Sequence, residues 1–160
     1  MIILGIDPGT ATTGFGVIES QKNNLWKAIE FGVITTHKTA GDAERLKILA
    51  TDLQLIIKKF KPEAAGVEKI FFSSNQKTII TVAQARGAIL LTLEQLKIPI
   101  YEFTPLQVKN TVTGYGGADK KQVQFMVKRE FGLKTVPKPD DAADALAIAL
   151  CCGLKLKQNK

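Results

Sequence analysis

This chain has little histidine, little cysteine and no long apolar run. His37 is its one histidine and Cys151 and Cys152 its two cysteines, so neither a zinc centre of paired His and Cys ligands nor a disulfide framework can be assembled. The two cysteines are adjacent on a segment that reads as helix, where a mutual bridge would be badly strained. They read instead as small buried apolar residues in a reducing compartment. The longest uncharged apolar stretch, Ala145 to Leu154, falls well short of the ~18 residues of a membrane span. The opening Met-Ile-Ile-Leu-Gly-Ile-Asp lacks the basic leader of a signal peptide, so a soluble cytoplasmic protein with no membrane partner is expected. With 45% apolar and 23% charged residues over 160 positions, the composition is globular and excludes a disordered or collagen-like chain. The length suits one domain, expected over residues 1–154, with a basic tail over 155–160.

Charge is abundant but uneven. Lys and Arg number 22 against 15 Asp and Glu, a net +7, and residues 109–160 hold 10 bases and 5 acids, so +5 of the excess lies in the last third. That placement suits a polyanion such as nucleic acid, although Lys155, Lys157 and Lys160 also read as a solvated end.

The apolar pattern orders the chain into strands and helices. Ile2 to Ile6 is a near-continuous apolar run stopped by Asp7-Pro8-Gly9, the signature of a buried strand and a turn. Gly14 to Glu19 and Leu25 to Thr35 continue as two further strands of a meander. Asp42 is the expected cap of a helix carrying Leu46, Leu49, Leu53, Ile56 and Phe60 at helical spacing, ended by Lys61-Pro62. Ala64 to Val67 forms a fourth strand leading to Glu68. Asn75 to Lys97 is a helix on which Ala83 and Gly87, four apart, would let another helix or the sheet approach closely. Pro99 to Phe103 is a fifth strand. Helices follow over Pro105 to Val112, Asp119 to Phe131 and Asp141 to Leu154, the first two separated by the flexible loop Thr113-Gly114-Tyr115-Gly116-Gly117. A right-handed crossover between strands three and four sets strand four parallel to strand one, which gives an α/β fold with a mixed five-stranded sheet flanked by helices.

Asp7 and Glu68 then stand at the carboxyl ends of neighbouring parallel strands, where such sheets tend to bind ligands. Singly, each acid has a plainer reading: Asp7 as turn chemistry, Glu68 as a solvated strand end, and Asp140, Asp141 and Asp144 as partners of a helix N-terminus. Asp140 is assigned that capping role. Asp141 and Asp144, three apart, share a helix face with Cβ atoms about 5–6 Å apart, while Ala142, Ala145, Leu146 and Ala149 supply the core side. If that helix crosses the strand ends, four carboxylates meet, and such a cluster is stable only with protons or cations. Oxygen donors without paired His or Cys favour Mg²⁺ or Mn²⁺ over Zn²⁺. His37, in a polar strand-end segment, reads as exposed. Near a basic surface, the cluster suits phosphodiester hydrolysis with two ions on the attacking and leaving oxygens; a polynucleotide transferase stays open on the same chemistry.

Three motifs carry a resemblance: Ile-Leu-Gly-Ile-Asp7-Pro-Gly-Thr with Thr13-Gly14-Phe-Gly16; Val67-Glu68 followed by Phe71-Phe72 and Gln84-Ala85-Arg86-Gly87; and Asp141-Ala-Ala-Asp144-Ala-Leu-Ala-Ile-Ala. With Gln107-Val108-Lys109 and Ala118-Asp119-Lys120 between them, the chain closely resembles the RuvC family of Holliday junction resolvases from Met1 to about Leu150. The resemblance implies an RNase H-like fold, and a homodimer that cuts two like-polarity strands of four-way junction DNA symmetrically in recombination and repair. It also implies RuvA and RuvB as branch-migration partners. By motif position it makes Asp7, Glu68, Asp141 and Asp144 the catalytic acids that hold Mg²⁺, with Mn²⁺ as a substitute and two ions per site. Phe71 matches an aromatic that stacks on a base, with Phe72 beside it as the alternative. Lys109 and Lys120, with the adjacent Lys121, match basic residues near DNA, although each lysine also reads as a solvated helix charge. The role of Arg86 is left open, as is that of Tyr115 in its glycine-rich loop.

The opening motif also resembles the first phosphate motif of actin- and sugar-kinase-like ATPases, whose two lobes need a much longer chain. The YqgF-type nucleases share a similar opening but have a different final motif. A non-catalytic junction-binding protein is a further reading, against which all four intact acids argue.

Overall fold

The computed structural model describes residues 1–22, 25–70 and 76–158. At its centre β1 (Ile2–Asp7), β2 (Thr12–Ser20) and β3 (Trp26–Thr35) form an antiparallel meander. β4 (Ala64–Glu68) joins β1 in parallel and β5 (Ile100–Phe103) joins β4 in parallel, giving the order β3-β2-β1-β4-β5. This is the mixed five-stranded sheet expected from the crossover argument, in the RNase H-like order. Five helices complete the chain: α1 (Asp42–Phe60), α2 (Gln76–Gln95), α3 (Pro105–Thr113), α4 (Lys120–Glu130) and α5 (Asp140–Gln158).

Local chemistry explains most of these limits. Leu49, Leu53 and Ile57 are the buried stripe of α1, which stops at Lys61 in the left-handed region, one residue before Pro62. α3 and α4 open on capping boxes, Thr104 with Gln107 and Asp119 with Gln122. Two expected caps are corrected. Gly41, with no side-chain hydrogen bond, caps α1, and Asp42 is its first helical residue. Asp140 is likewise the first residue of α5, and its carboxylate reaches Lys120 and Lys138. Both acids still sit where the helix dipole favours negative charge.

The sheet divides two apolar layers. Leu4, Ile6, Val17 and Val67 face α1 and α2, meeting Leu53, Ile89 and Leu93; Ile3, Ile18 and Ala64 face the opposite layer, where Leu146 and Ile148 of α5 lie. Because strand side chains alternate, Gly5 and Asp7 follow Ile3 onto the α5 side, and Gly66 and Glu68 follow Ala64. The glycines let α5 lie directly on the strands: a Cβ at Gly5 would collide with the Ala145 carbonyl oxygen, and one at Gly14 with that of Asp141. Ala142, Ala143, Ala145, Ala147 and Ala149 are fully buried and complete this close fit.

Cys151 and Cys152 are buried free thiols at this interface, pushed up by burial to about 11 and about 12. That fits their reading as inert apolar residues. α5 runs on through Gln158, so Lys155 lies over the Tyr101 and Phe103 rings and Lys157 over Trp26. Among the described residues no helix is long and apolar enough to cross a membrane.

Candidate functional site

Strand register brings the first two acids together. Ile6 pairs with Val67, so Asp7 and Glu68 are the next residues along adjacent parallel strands, both turned toward α5. On the other side of β1, Asp7 pairs with Gly14, whose missing side chain admits the Asp141 backbone. The close seating of α5 thus delivers its first turns, with Asp141 and Asp144, to the ends of β1 and β4. From sequence this meeting carried a condition, that the helix crosses the strand ends; Gly5 and Gly66, two residues before Asp7 and Glu68, and Gly14 on β2 were the legible signal that it does.

The electrostatics record this crowding. Asp7 is raised from 3.8 to about 8, first by burial and then by Glu68, Asp144 and Asp141. Glu68 is raised from 4.5 to about 7 by burial and then by Asp144. Burial and the neighbouring Asp141 and Asp140 also raise Asp144 from its ordinary value, against the opposing pull of Lys120. Lys120 Nζ lies 3.2 Å from Asp144 Oδ2 and 3.5 Å from Asp140 Oδ2. Burial draws its ammonium down, but the pull of Asp144 and Asp140 leaves it above the ordinary lysine value. Burial and the neighbouring acids thus favour the protonated forms of Asp7 and Glu68 more than Lys120 opposes them.

Among the described residues no three acids, cysteines or histidines form a closed metal cage. The donor set itself suits a hard divalent ion: oxygen ligands only, partly buried, with their mutual repulsion relieved by added positive charge.

Lys109 and Lys120 line one cleft of about 270 Å³ together with Glu68 and Asp144. Lys121 does not join them. It lines a separate cavity of about 390 Å³ with Tyr115, Phe125 and Met126, because consecutive residues of a helix point about 100° apart. Tyr115 is well exposed there. Phe71 and Phe72 lie outside the described residues. His37 is exposed, as expected.

Arg86, whose role the sequence left open, supports the acid site from behind. Its Nε donates to the Glu68 carbonyl oxygen at 3.2 Å, and its guanidinium is ion-paired with Glu102 on β5. It therefore ties α2 to the ends of β4 and β5 and fixes the backbone that carries Glu68.

Comparison with known proteins points the same way. The family described as crossover junction endodeoxyribonuclease RuvC matches residues 3–152. A protein of that description from Syntrophomonas wolfei is 53% identical over 151 residues, covering 94% of this chain and 87% of its own. Another from Halothermothrix orenii is 51% identical over 160 residues, covering 100% and 96%. The structure of Thermus thermophilus RuvC in complex with a Holliday junction substrate aligns with a TM-score of 0.93 at 33% identity, covering 99% of this chain and 96% of that one.

Proposed function

The chain belongs to the RuvC family of crossover junction endodeoxyribonucleases, hydrolases that resolve four-way DNA junctions with the help of metal, and from that premise we propose how its own residues do so. Asp7, Glu68, Asp141 and Asp144 are the catalytic carboxylates and would hold Mg²⁺, two ions per site, with Mn²⁺ as a substitute. The observation that carries this assignment is geometric: strand register sets Asp7 beside Glu68, and the glycines of β1 and β2 seat the first turns of α5, with Asp141 and Asp144, against them. Held there, the ions would supply activation of water and stabilisation of the charge that develops on the attacking and leaving oxygens.

The protein's own part is positioning. Asp7 and Glu68 are held on rigid strands, and Arg86 fixes the Glu68 backbone. Lys120 pairs with Asp144 and lines the same cleft, so its charge serves the carboxylates in the free protein and a phosphate when DNA arrives. Lys109 lines the same cleft and is assigned to the DNA backbone. Lys121, on its separate face, contributes at longer range. Phe71 is proposed to stack on a base at the opened crossover by motif position alone.

The lysine assignments predict a salt effect. Lys109→Ala and Lys120→Ala should each weaken junction binding and reduce the slope of log K against log salt by about 0.9 if each lysine neutralises one phosphate. Binding measured across a salt series on a four-way junction and on a linear duplex tests this. An unchanged slope returns that lysine to solvent, and equal affinity for both DNAs would contradict junction selectivity.

Symmetric cutting of two strands calls for two copies. The outer face of α2 offers a seat: Ile80 and Leu91 are 65% and 59% exposed, and between them Ala83 and Gly87 leave a shallow exposed stripe. Among the described residues the expected close approach at Gly87 is not made, since an added Cβ there meets nothing within 4 Å. We assign that approach to a second copy. Gly87→Glu should shift the chain from dimer to monomer in sedimentation while leaving its melting temperature unchanged or higher, because glycine inside a helix costs about 0.5–1 kcal/mol. A dimer of undiminished stability would remove α2 from the interface. RuvA and RuvB as partners, and action in the cytoplasm, follow from the family role.

A further inference from the structure

A second cleft opens on the far side of the acids from Lys109 and Lys120. It measures about 450 Å³ and lies between the loop that joins β1 to β2, the start of α1, and Thr81 and Val82 of α2, with Thr10, Thr12, Lys38, Arg45 and Asp141 also on its walls. Asp141 makes it continuous with the acid site, and that aspartate is the one acid among its lining residues. Neither Lys38 nor Arg45 is in an ion pair among the described residues, whereas Lys120 on the other flank is already committed to Asp140 and Asp144.

The cleft is built rather than incidental. Arg45 Nε donates to Thr36 Oγ1 at 2.9 Å, and that hydroxyl donates to the Thr10 carbonyl oxygen at 2.6 Å, so the guanidinium is anchored to the loop by one of its five N–H groups. Thr13 Oγ1 donates to the Gly9 carbonyl oxygen and closes the loop from its other end. Thr10 Oγ1, on the same loop, is shut off from solvent and has no hydrogen-bond partner among the described residues. An anchored guanidinium and an ammonium, neither of them ion-paired among the described residues, are donors in want of an anionic acceptor.

We propose that this cleft, through Arg45, Lys38 and the 9–12 loop, binds a backbone phosphate of the cleaved strand next to the one that is hydrolysed. The proposal rests on the resolvase reading and adds to it a second handhold: a strand held by Lys109 and Lys120 on one flank and by Arg45 and Lys38 on the other is stretched across the carboxylates. Arg45 and Lys38 are positioning residues, since they hold the strand without touching the reacting phosphorus. Their loss raises the concentration of junction needed for half-maximal rate and slows cutting through misplacement.

The test replaces single phosphates by uncharged methylphosphonates at each position within three nucleotides of the cut, in a junction that the unaltered chain cleaves with Mg²⁺. The unaltered chain should be slowed strongly by the neutral linkage at one position flanking the cut. The Lys38→Gln/Arg45→Gln variant should bind the unmodified junction with a salt slope lower by about 0.9 for each phosphate no longer neutralised, and the neutral linkage at that same position should slow it no further. Arg45→Lys should recover most of the slope, which a merely structural role of the Thr36 bond would not allow. A variant whose salt slope and methylphosphonate profile match those of the unaltered chain overturns the subsite while leaving the resolvase reading intact. Failure of the unaltered chain to cut any unmodified junction overturns both.

Discussion

Asp7→Asn should abolish junction cleavage, by about 10³-fold or more, while junction affinity stays within about twofold. The size follows from the chemistry: metal stabilisation of transition-state charge is worth several kcal/mol, and each 1.4 kcal/mol is about tenfold in rate. Affinity survives because the replacement keeps the shape of the side chain and removes a negative charge that repels the phosphates. The same substitution should make the metal-free protein more stable near pH 8. Asp7 is buried among Glu68, Asp144 and Asp141, and an amide needs no proton or cation to sit there; a gain of about 1–4 kcal/mol is in the range for removing a poorly compensated buried charge. Cleavage at the unaltered rate would take Asp7 out of the mechanism, and a fall in metal-free stability would contradict the crowding of the site.

The second large effect is on stability against pH. Asp7 and Glu68 have folded-state values of about 8 and about 7, above their ordinary 3.8 and 4.5. The folded chain therefore binds more protons than the unfolded chain between those limits. The stability these groups contribute is present in full below about pH 4 and is lost as pH rises through about 8. Each unit of displacement is worth about 1.4 kcal/mol, so Asp7 alone places several kcal/mol on this slope. In EDTA the melting temperature should fall between pH 5 and pH 8.5, and Asp7→Asn should flatten that fall. Mg²⁺ binds the deprotonated form and should raise the melting temperature most at the alkaline end, by mass action. A metal-free curve with the same slope in Asp7→Asn as in the unaltered chain would show that the cluster is not coupled as described.

The architecture was legible because most of its causes are local. The apolar run from Ile2 to Ile6 marks β1, the helical spacing of Leu46, Leu49, Leu53, Ile56 and Phe60 marks α1, and both were readable in the sequence. The acids were legible as types and positions, but their meeting depended on how closely α5 could approach, and that is decided by glycines on three different strands. Errors arose where two residues of similar chemistry compete for one role. Asp42 and Asp140 both look like caps, yet Gly41 takes the first position and Lys120 takes the Asp140 carboxylate. The different placement of Lys120 and Lys121 is no such error but a detail the sequence left unspecified: the turn of the helix sends Lys120 to the acids and Lys121 to a neighbouring cavity. Arg86 and Arg45 were opaque for another reason: their partners, Glu102 and the Glu68 carbonyl for one and Thr36 for the other, are chosen by tertiary packing and leave no short-range pattern.

The central claim is that four carboxylates at the ends of β1, β4 and the start of α5 cut a four-way junction through bound metal. It is tested most directly by offering the chain a synthetic four-way junction with varied sequences at the crossover, beside a linear duplex, with and without Mg²⁺, and with Asp7→Asn in parallel. The expected result is paired, symmetric, ligatable nicks in two strands of like polarity, made only by the unaltered chain, only with metal, and only in the junction. Cutting of the linear duplex at an equal rate, or a junction that is bound but left whole in every divalent metal, would contradict it.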